Sequence, residues 1–257
     1  MYKRLLRHLS VLLAGLAATT ALPAFAAGPL HIAVAANFTA PAKAIIADFK
    51  KDTGKTVLPS FGSTGMLYAQ INNGAPFGLF LAADSRRPRL LVEKGVAVGD
   101  SRRTYAVGRL VLWSPDPGLV KDGAAALRDG KFSRLSIAEP KAAPYGAAAK
   151  QVLEHLGLWK NLSPRIVRGQ SITQTYQYVA SGNAQLGFVA LSQIAMLPPA
   201  RKGSQWLVPQ SFYTPIAQQV VLLKKAANDP EAKAFYTYLK SPKAERIIRE
   251  YGYEIAK

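Results

Sequence analysis

The sequence predicts an α/β protein of two lobes, in which β-strands alternate with helices. Apolar runs alternate with helical patterns in two batches, roughly 30–107 and 108–207, and the chain then returns to helix. Repeated βαβ units indicate a largely parallel, doubly wound sheet. We therefore expect lobe I to comprise 27–107 plus 208–257 and lobe II to comprise 108–207, with the chain crossing between them at least twice.

Individual elements follow from local pattern. Apolar runs bounded by turn residues predict the strands, near-helical spacing predicts the helices, and Gly54 and Gly95 each follow a helix. The predicted strands are 30–35, 56–61, 79–83, 110–113, 135–138, 166–168, 186–191 and 217–223. The predicted helices are 41–51, 64–72, 86–94, 147–156, 170–181, 231–239 and 242–251.

Two short segments each place a small polar side chain directly after a strand. Asn37 follows the first strand and Ser63 follows the second, and each is predicted to cap the next helix. Helix N-termini present unpaired N–H groups and a partial positive charge, so they bind anions without a formal cation. In such sheets ligands lie at the carboxyl ends of strands. Either residue alone is more commonly a plain structural cap, but together they predict an anion site.

Two further helix openings occur in the second batch. Pro144 sets the entry to one helix, Tyr145 follows, and Gly146 allows a close approach of the backbone. Ser171 precedes Ile172 in the same style. The alternative is an ordinary helix start at each place. Four openings, two from each lobe, would supply backbone N–H donors from both sides of a cleft.

The sequence disfavours several other chemistries, and no catalysis is expected. Segment 61–65 (FGSTG) departs from the G-x-S-x-G motif of hydrolases, because Phe61 stands at the first glycine position. Beyond residue 26 the only histidines are His31 and His155, and neither is placed to serve Ser63 as a base. The chain has no cysteine, which excludes thiol chemistry and disfavours a zinc or iron site. An exported hydrolase using Ser63 is the weaker alternative.

The N-terminus has the pattern of a cleavable signal peptide covering 1–26. Lys3, Arg4 and Arg7 precede an apolar stretch over about 9–22, and Ala24-Phe25-Ala26 forms an A-x-A cleavage site. The alternative, a membrane anchor, is disfavoured because the apolar stretch is short for a bilayer span. A periplasmic location is therefore expected.

The chain is strongly basic. Its formal charge is +18, and removal of the three basic leader residues leaves +15. The charges are scattered and do not interleave with aromatic residues, so a basic surface that gathers anions is favoured over nucleic-acid binding. The alternative is a polyanion-binding module, whose binding would depend strongly on salt and survive loss of Asn37 and Ser63.

Seven segments, spread over nearly all of the expected mature chain, together resemble the periplasmic molybdate-binding proteins of ABC transporters. The matching segments are 33–38 (AVAANF), 61–65 (FGSTG), 74–84 (GAPFGLFLAAD), 137–140 (IAEP), 144–146 (PYG), 156–159 (LGLW) and 235–242 (FYTYLKSP). The resemblance implies a type II periplasmic-binding fold with a hinge and a ligand cleft. It also implies capture of molybdate or tungstate, delivery to a membrane permease, a monomer, and no cofactor.

The resemblance further implies a neutral ligand set, with molybdenum present only as bound molybdate. Asn37 and Ser63 come from the first lobe, with a backbone contact from Ala36, and Tyr145 and Ile172 come from the second. Some members of the family have a tyrosine ligand where this chain has Ala190, and the amide of Asn37 is then expected to compensate. The alternative ligand is another tetrahedral oxyanion such as sulfate, phosphate or chromate.

Overall fold

The computed structural model describes residues 28–121 and 123–255, so the expected signal peptide lies outside the described residues. In this part of the chain the strands are β1 (Leu30–Ala35), β2 (Val57–Gly62), β3 (Leu79–Ala82), β4 (Arg103–Gly108), β5 (Leu110–Ser114), β6 (Leu135–Ala138), β7 (Ile166–Gly169), β8 (Leu186–Ala190), β9 (Ser204–Leu207) and β10 (Ile216–Leu222). The helices are α1 (Thr39–Thr53), α2 (Thr64–Asn72), α3 (Arg86–Glu93), α4 (Ala125–Asp129), α5 (Pro144–His155), α6 (Trp159–Leu162), α7 (Ile172–Ala180), α8 (Leu191–Ile194), α9 (Pro230–Tyr238) and α10 (Pro242–Glu250).

The strands form two five-stranded sheets, one in each lobe, which confirms the α/β architecture. The first sheet has the order β2-β1-β3-β10-β4 and the second the order β7-β6-β8-β5-β9. β1 pairs in parallel with β2 and β3, and β6 pairs in parallel with β7 and β8. β10 and β5 are antiparallel to both of their neighbours. The sheets are therefore mixed, and the prediction of a largely parallel sheet holds only for the βαβ half of each.

The chain passes between the sheets twice. It leaves the first sheet at the end of β4 and enters the second at the start of β5, with Arg109 between them. It returns through 208–215 to β10, which lies between β3 and β4 in the first sheet. Near the C-terminus Glu254 pairs with Val107 of β4 and forms an ion pair with Arg109 at 2.7 Å. The later part of the chain is thereby fastened to the first crossing.

Buried apolar residues fill the space between each sheet and its helices. In the first lobe Phe38, Phe49 and Phe235 are fully buried, and Phe49 packs edge-on against Phe235. In the second lobe Trp113 and Phe188 have the same role. Among the described residues there is no helix that is both long and apolar enough to span a membrane.

Candidate functional site

A small cavity lies where the two sheets face each other. The residues that line it are Ala35, Ala36, Asn37, Ser63, Thr64, Ala143, Pro144, Tyr145 and Ile172. All five residues expected to bind the ligand are among them. The cavity has an open volume of about 10 Å³, which is room for about one water molecule. A cavity of this size excludes an organic metabolite.

Several of the lining residues lie at the N-terminal ends of helices, either as the cap or in the first turn. Ser63 caps α2 and its hydroxyl accepts a hydrogen bond from the N–H of Met66, as predicted. Tyr145 follows Pro144 in the first turn of α5, and Ile172 opens α7 behind the cap Ser171. First-turn N–H groups have no partner within their own helix, and the helix dipole adds positive potential there. The arrangement therefore offers an anion donors from both lobes.

The helix at Tyr145 begins earlier than the sequence predicts. α5 starts at Pro144, because proline is favoured in the first turn, where its missing N–H costs nothing. The close approach expected at Gly146 is made to the chain itself: a Cβ there would lie 2.1 Å from the carbonyl oxygen of Ala138. This glycine packs α5 onto the end of β6 and so sets where Tyr145 lies.

The prediction that Asn37 caps a helix is wrong. Residues Ala36–Phe38 form a 3-10 turn, and α1 begins at Thr39 with no side-chain cap. The amide nitrogen of Asn37 instead donates to Gln218 Oε1 at 2.8 Å and to the hydroxyl of Tyr253 at 2.9 Å. Both amide hydrogens are thus bonded inside the protein. Neither is left to compensate for the tyrosine hydroxyl that is missing at Ala190.

A buried polar cluster behind Asn37 was not predicted from the sequence. Gln218 Oε1 also accepts from the hydroxyl of Tyr105 at 3.1 Å, and Gln218 Nε2 donates to the hydroxyl of Tyr145 at 3.5 Å. Burial raises the pKa of the Tyr105, Tyr145 and Tyr253 hydroxyls above their usual range, so all three are neutral at physiological pH. Gln218 and Gln219 interrupt the apolar pattern of β10, and this pair of polar residues was the available signal.

Ala190 ends β8 in a fully buried position. Its N–H donates to Gln193 Oε1 at 3.0 Å, and Gln193 Nε2 donates to the carbonyl oxygen of Ile172 at 3.1 Å. The side chain of Gln193 therefore joins the end of β8 to the start of α7. This bridge fixes the position of the Ile172 turn beside the cavity.

The two lobes touch directly around the cavity. The N–H of Gly65 donates to the carbonyl oxygen of Ala142 at 2.9 Å, and Arg87 Nη2 donates to the carbonyl oxygen of Lys141 at 2.9 Å. Arg87 is oriented by an ion pair with Asp84, which also caps the start of α3 through the N–H of Arg87. The lobes are therefore closed on each other and enclose the cavity.

The cavity lining carries no charged side chain. Charged groups lie in an adjoining groove of about 510 Å³ between the lobes, whose lining includes Asp84, Arg86, Arg87 and Lys141. Burying an unpaired Lys or Arg beside the ligand would cost roughly several kcal/mol in desolvation. A lining of neutral side chains avoids this cost. The arrangement suits an anion whose charge is spread into hydrogen-bond donors and helix dipoles.

The geometry does not support catalysis by Ser63. His155 is the last residue of α5, about 15 Å along the helix from the turn at the cavity, and its ring stacks on Phe212. His31 lies near the start of β1, whereas the cavity adjoins the end of that strand. Within the described ranges no group of three or more His, Cys, Asp or Glu residues is arranged to hold a metal ion.

The chain belongs to the bacterial extracellular solute-binding protein family, whose model matches residues 30–254. Among curated relatives, it is 54% identical over 227 residues to a molybdate-binding protein ModA of Azotobacter vinelandii, covering 88% of this chain and 90% of the relative. It is 53% identical over 233 residues to the molybdate-binding protein ModA of Rhodobacter capsulatus, covering 91% and 90% of the two chains.

A solved structure supports the same placement. The periplasmic molybdate-binding protein of Azotobacter vinelandii superposes with a TM-score of 0.86 at 43% identity, covering 89% of this chain and all of that one. The described part of the chain therefore has the two-lobed architecture of a periplasmic binding protein.

Proposed function

We propose that this protein binds molybdate in the periplasm and delivers it to the membrane permease of an ABC transporter. The carrying observation is the small closed cavity, which is lined by neutral residues from helix openings of both lobes. The similarity to molybdate-binding relatives at 54% and 53% identity supports the choice of anion. Tungstate, a tetrahedral oxyanion of the same charge, is proposed as a second ligand. The protein acts as a binding protein and not as an enzyme.

The donors to the anion are proposed to be Ser63, through hydroxyl and N–H, and the backbone N–H groups of Ala36, Asn37, Tyr145 and Ile172. Their places around the cavity support this assignment. Because the Asn37 amide is engaged with Gln218 and Tyr253, its contact is assigned to the main chain.

Discrimination among oxyanions follows from a fixed set of donors. A smaller tetrahedral anion cannot reach all of them at once, and each buried donor left unpaired costs about 1–3 kcal/mol. The tight closure of the lobes prevents the donors from moving inward, because Gly65 and Arg87 already contact Ala142 and Lys141. Sulfate is therefore expected to bind more weakly than molybdate.

The test is a thermal-shift and calorimetric series on the purified protein with molybdate, tungstate, sulfate, phosphate and chromate. A ligand at 100 times its dissociation constant stabilises the folded state by about 2.7 kcal/mol, which raises the Tm of a chain of this size by roughly 5–11 °C. Molybdate and tungstate should give this shift at the lowest concentrations. An equal shift with sulfate at equal concentration would assign the site to another oxyanion, and no shift with any of them would refute the proposal.

The periplasmic location and the signal peptide are proposed from the leader pattern and from the extracellular family. Cell fractionation and N-terminal sequencing of the exported protein test both. A mature chain that starts after Ala26 is expected, and a chain that keeps its leader in the cytoplasm contradicts this.

A further inference from the structure

Two lobe II hydroxyls reach two consecutive carbonyl oxygens of the 36–38 turn in lobe I. Ser192 Oγ donates to the carbonyl oxygen of Asn37 at 2.8 Å, and Thr173 Oγ1 donates to the carbonyl oxygen of Ala36 at 3.4 Å. Neither Ser192 nor Thr173 lines the cavity. The two hydroxyls therefore contact the turn without being part of the cavity lining.

Lobe I contributes a second donor to each of these oxygens. The hydroxyl of Tyr253 donates to the oxygen of Asn37 at 2.8 Å, and Thr39 Oγ1 donates to the oxygen of Ala36 at 2.7 Å. The oxygen of Asn37 has two lone pairs, so it is fully satisfied only when the Ser192 hydroxyl is present beside that of Tyr253. The oxygen of Ala36 also accepts from the main-chain N–H of Thr39, so it keeps two lobe I donors when the lobes separate and Thr173 leaves.

The orientation of these carbonyl groups also sets the orientation of the neighbouring N–H groups. In a trans peptide the C=O and N–H bonds point in opposite directions across a rigid plane, and the described chain has no cis peptide bond. Drawing the oxygen of Ala36 away from the cavity turns the N–H of Asn37 the other way. The oxygen of Asn37 fixes the N–H of Phe38 in the same manner.

We propose that Ser192 and Thr173 are positioning residues, which on lobe closure lock the 36–38 turn so that the N–H of Asn37 is directed toward the bound oxyanion. The inference rests on the proposed function, since it assigns the closure contacts of that same site. Ser192 is the stronger of the two, because its hydrogen bond is short and buried whereas that of Thr173 is at the limit of hydrogen-bond length. Both hydroxyls stabilise the closed, liganded state and not the open one.

The experiment compares Ser192→Ala and Thr173→Val with the wild type and with Ser163→Ala as a matched control. Ser163 Oγ donates to the carbonyl oxygen of Trp159 at 2.6 Å within lobe II, so its loss removes the same kind of bond outside the cleft. Stopped-flow mixing with molybdate measures association and dissociation rates, and thermal unfolding measures the ligand-free protein.

Ser192→Ala should speed molybdate dissociation roughly fivefold to tenfold, the value of one net hydrogen bond, with association within about twofold of wild type. Thr173→Val should give a smaller increase of about twofold. The ligand-free Tm should change no more than in Ser163→Ala, whose dissociation rate should match the wild type. If Ser192→Ala folds poorly, Ser192→Cys keeps the size with a weaker donor and should give an intermediate rate.

A dissociation rate of Ser192→Ala within about twofold of wild type overturns the inference, as does a loss of affinity that lies entirely in association. An equal effect in Ser163→Ala reduces the role of Ser192 to general stability and also overturns it. If the wild type binds neither molybdate nor tungstate, it is the proposed function that fails, which distinguishes the two outcomes.

Discussion

The main-chain N–H of Gly65, in the first turn of α2, donates to the carbonyl oxygen of Ala142 at 2.9 Å. These residues belong to opposite lobes, so the bond joins main chain to main chain across the cleft. A Cβ built on Gly65 would lie 2.9 Å from that oxygen and 3.0 Å from Arg87 Nη2. The absence of a side chain at Gly65 therefore allows the lobes to approach this closely.

Gly65→Ala should weaken molybdate binding by roughly tenfold or more while leaving the ligand-free protein as stable or more stable. Alanine favours helix over glycine by about 1 kcal/mol, but its Cβ holds the lobes apart. Calorimetry and thermal unfolding measure the two effects. Gly99→Ala is the control, because its Cβ would meet only Val92, at 3.9 Å. Unchanged affinity in Gly65→Ala would show that closure tolerates the methyl group.

Ser63→Ala should lower both stability and molybdate affinity, whereas Ser241→Ala should lower stability alone. Both hydroxyls accept from the N–H three residues on and cap a helix, and loss of such a cap costs about 1 kcal/mol. Only Ser63 also lines the cavity. Urea unfolding and calorimetry on the pair separate the two roles. Equal affinities in the two variants would remove the Ser63 hydroxyl from the ligand set.

Added salt should slow molybdate association and leave dissociation nearly unchanged. The chain carries a formal charge of +18, which attracts an anion over distances that salt screens. The cavity lining has no charged side chain, so contacts in the complex are short-range and poorly screened. Stopped-flow experiments at about 10 mM and about 500 mM salt measure the association and dissociation rates under weak and strong screening. A dissociation rate that rises with salt as steeply as association falls would place a cation against the anion.

Folding stability should fall as the pH rises above about 10, the pKa of tyrosine in an unfolded chain. Burial raises the pKa of Tyr105, Tyr145 and Tyr253 in the folded protein. Above the unfolded pKa, the unfolded chain therefore releases protons from these hydroxyls that the folded chain retains. Each contributes stability that is complete below the unfolded pKa and is lost at about 1.4 kcal/mol per pH unit until its folded pKa is passed. Urea unfolding from about one pH unit below to about one pH unit above that pKa measures the loss of stability. Ionisation of all three hydroxyls near pH 10 in the folded protein would contradict it.

The sequence identified most of the fold because its βαβ units are local patterns. It missed β4, which carries Arg103 and Thr104 among its apolar residues, and β9, which has the pattern Ser-Gln-Trp-Leu. β4 and β9 each lie at the edge of a sheet. β4 pairs with β10 and β9 pairs with β5, and in both cases the partner strand is distant in sequence. Antiparallel insertion of β10 between β3 and β4 is a tertiary event that no local periodicity records.

All five residues singled out from the sequence line the cavity, but one of them was assigned the wrong local role. Ser63 was recognisable because capping is a short-range interaction between neighbours. Asn37 was read in the same way, yet its amide partners, Gln218 and Tyr253, are 181 and 216 residues away. A residue whose partners are that remote presents no local signal.

The strand order of the first sheet has a consequence for how the protein is made. β10 lies between β3 and β4 inside that sheet, and Tyr253 completes the hydrogen bonds of Asn37, yet both are synthesised after all of lobe II. A nascent chain therefore reaches a complete lobe II before it can close lobe I. A chain whose synthesis stops before β10 therefore has all five residues assigned to the anion but lacks Gln218 and Tyr253, which hold the Asn37 side chain in place.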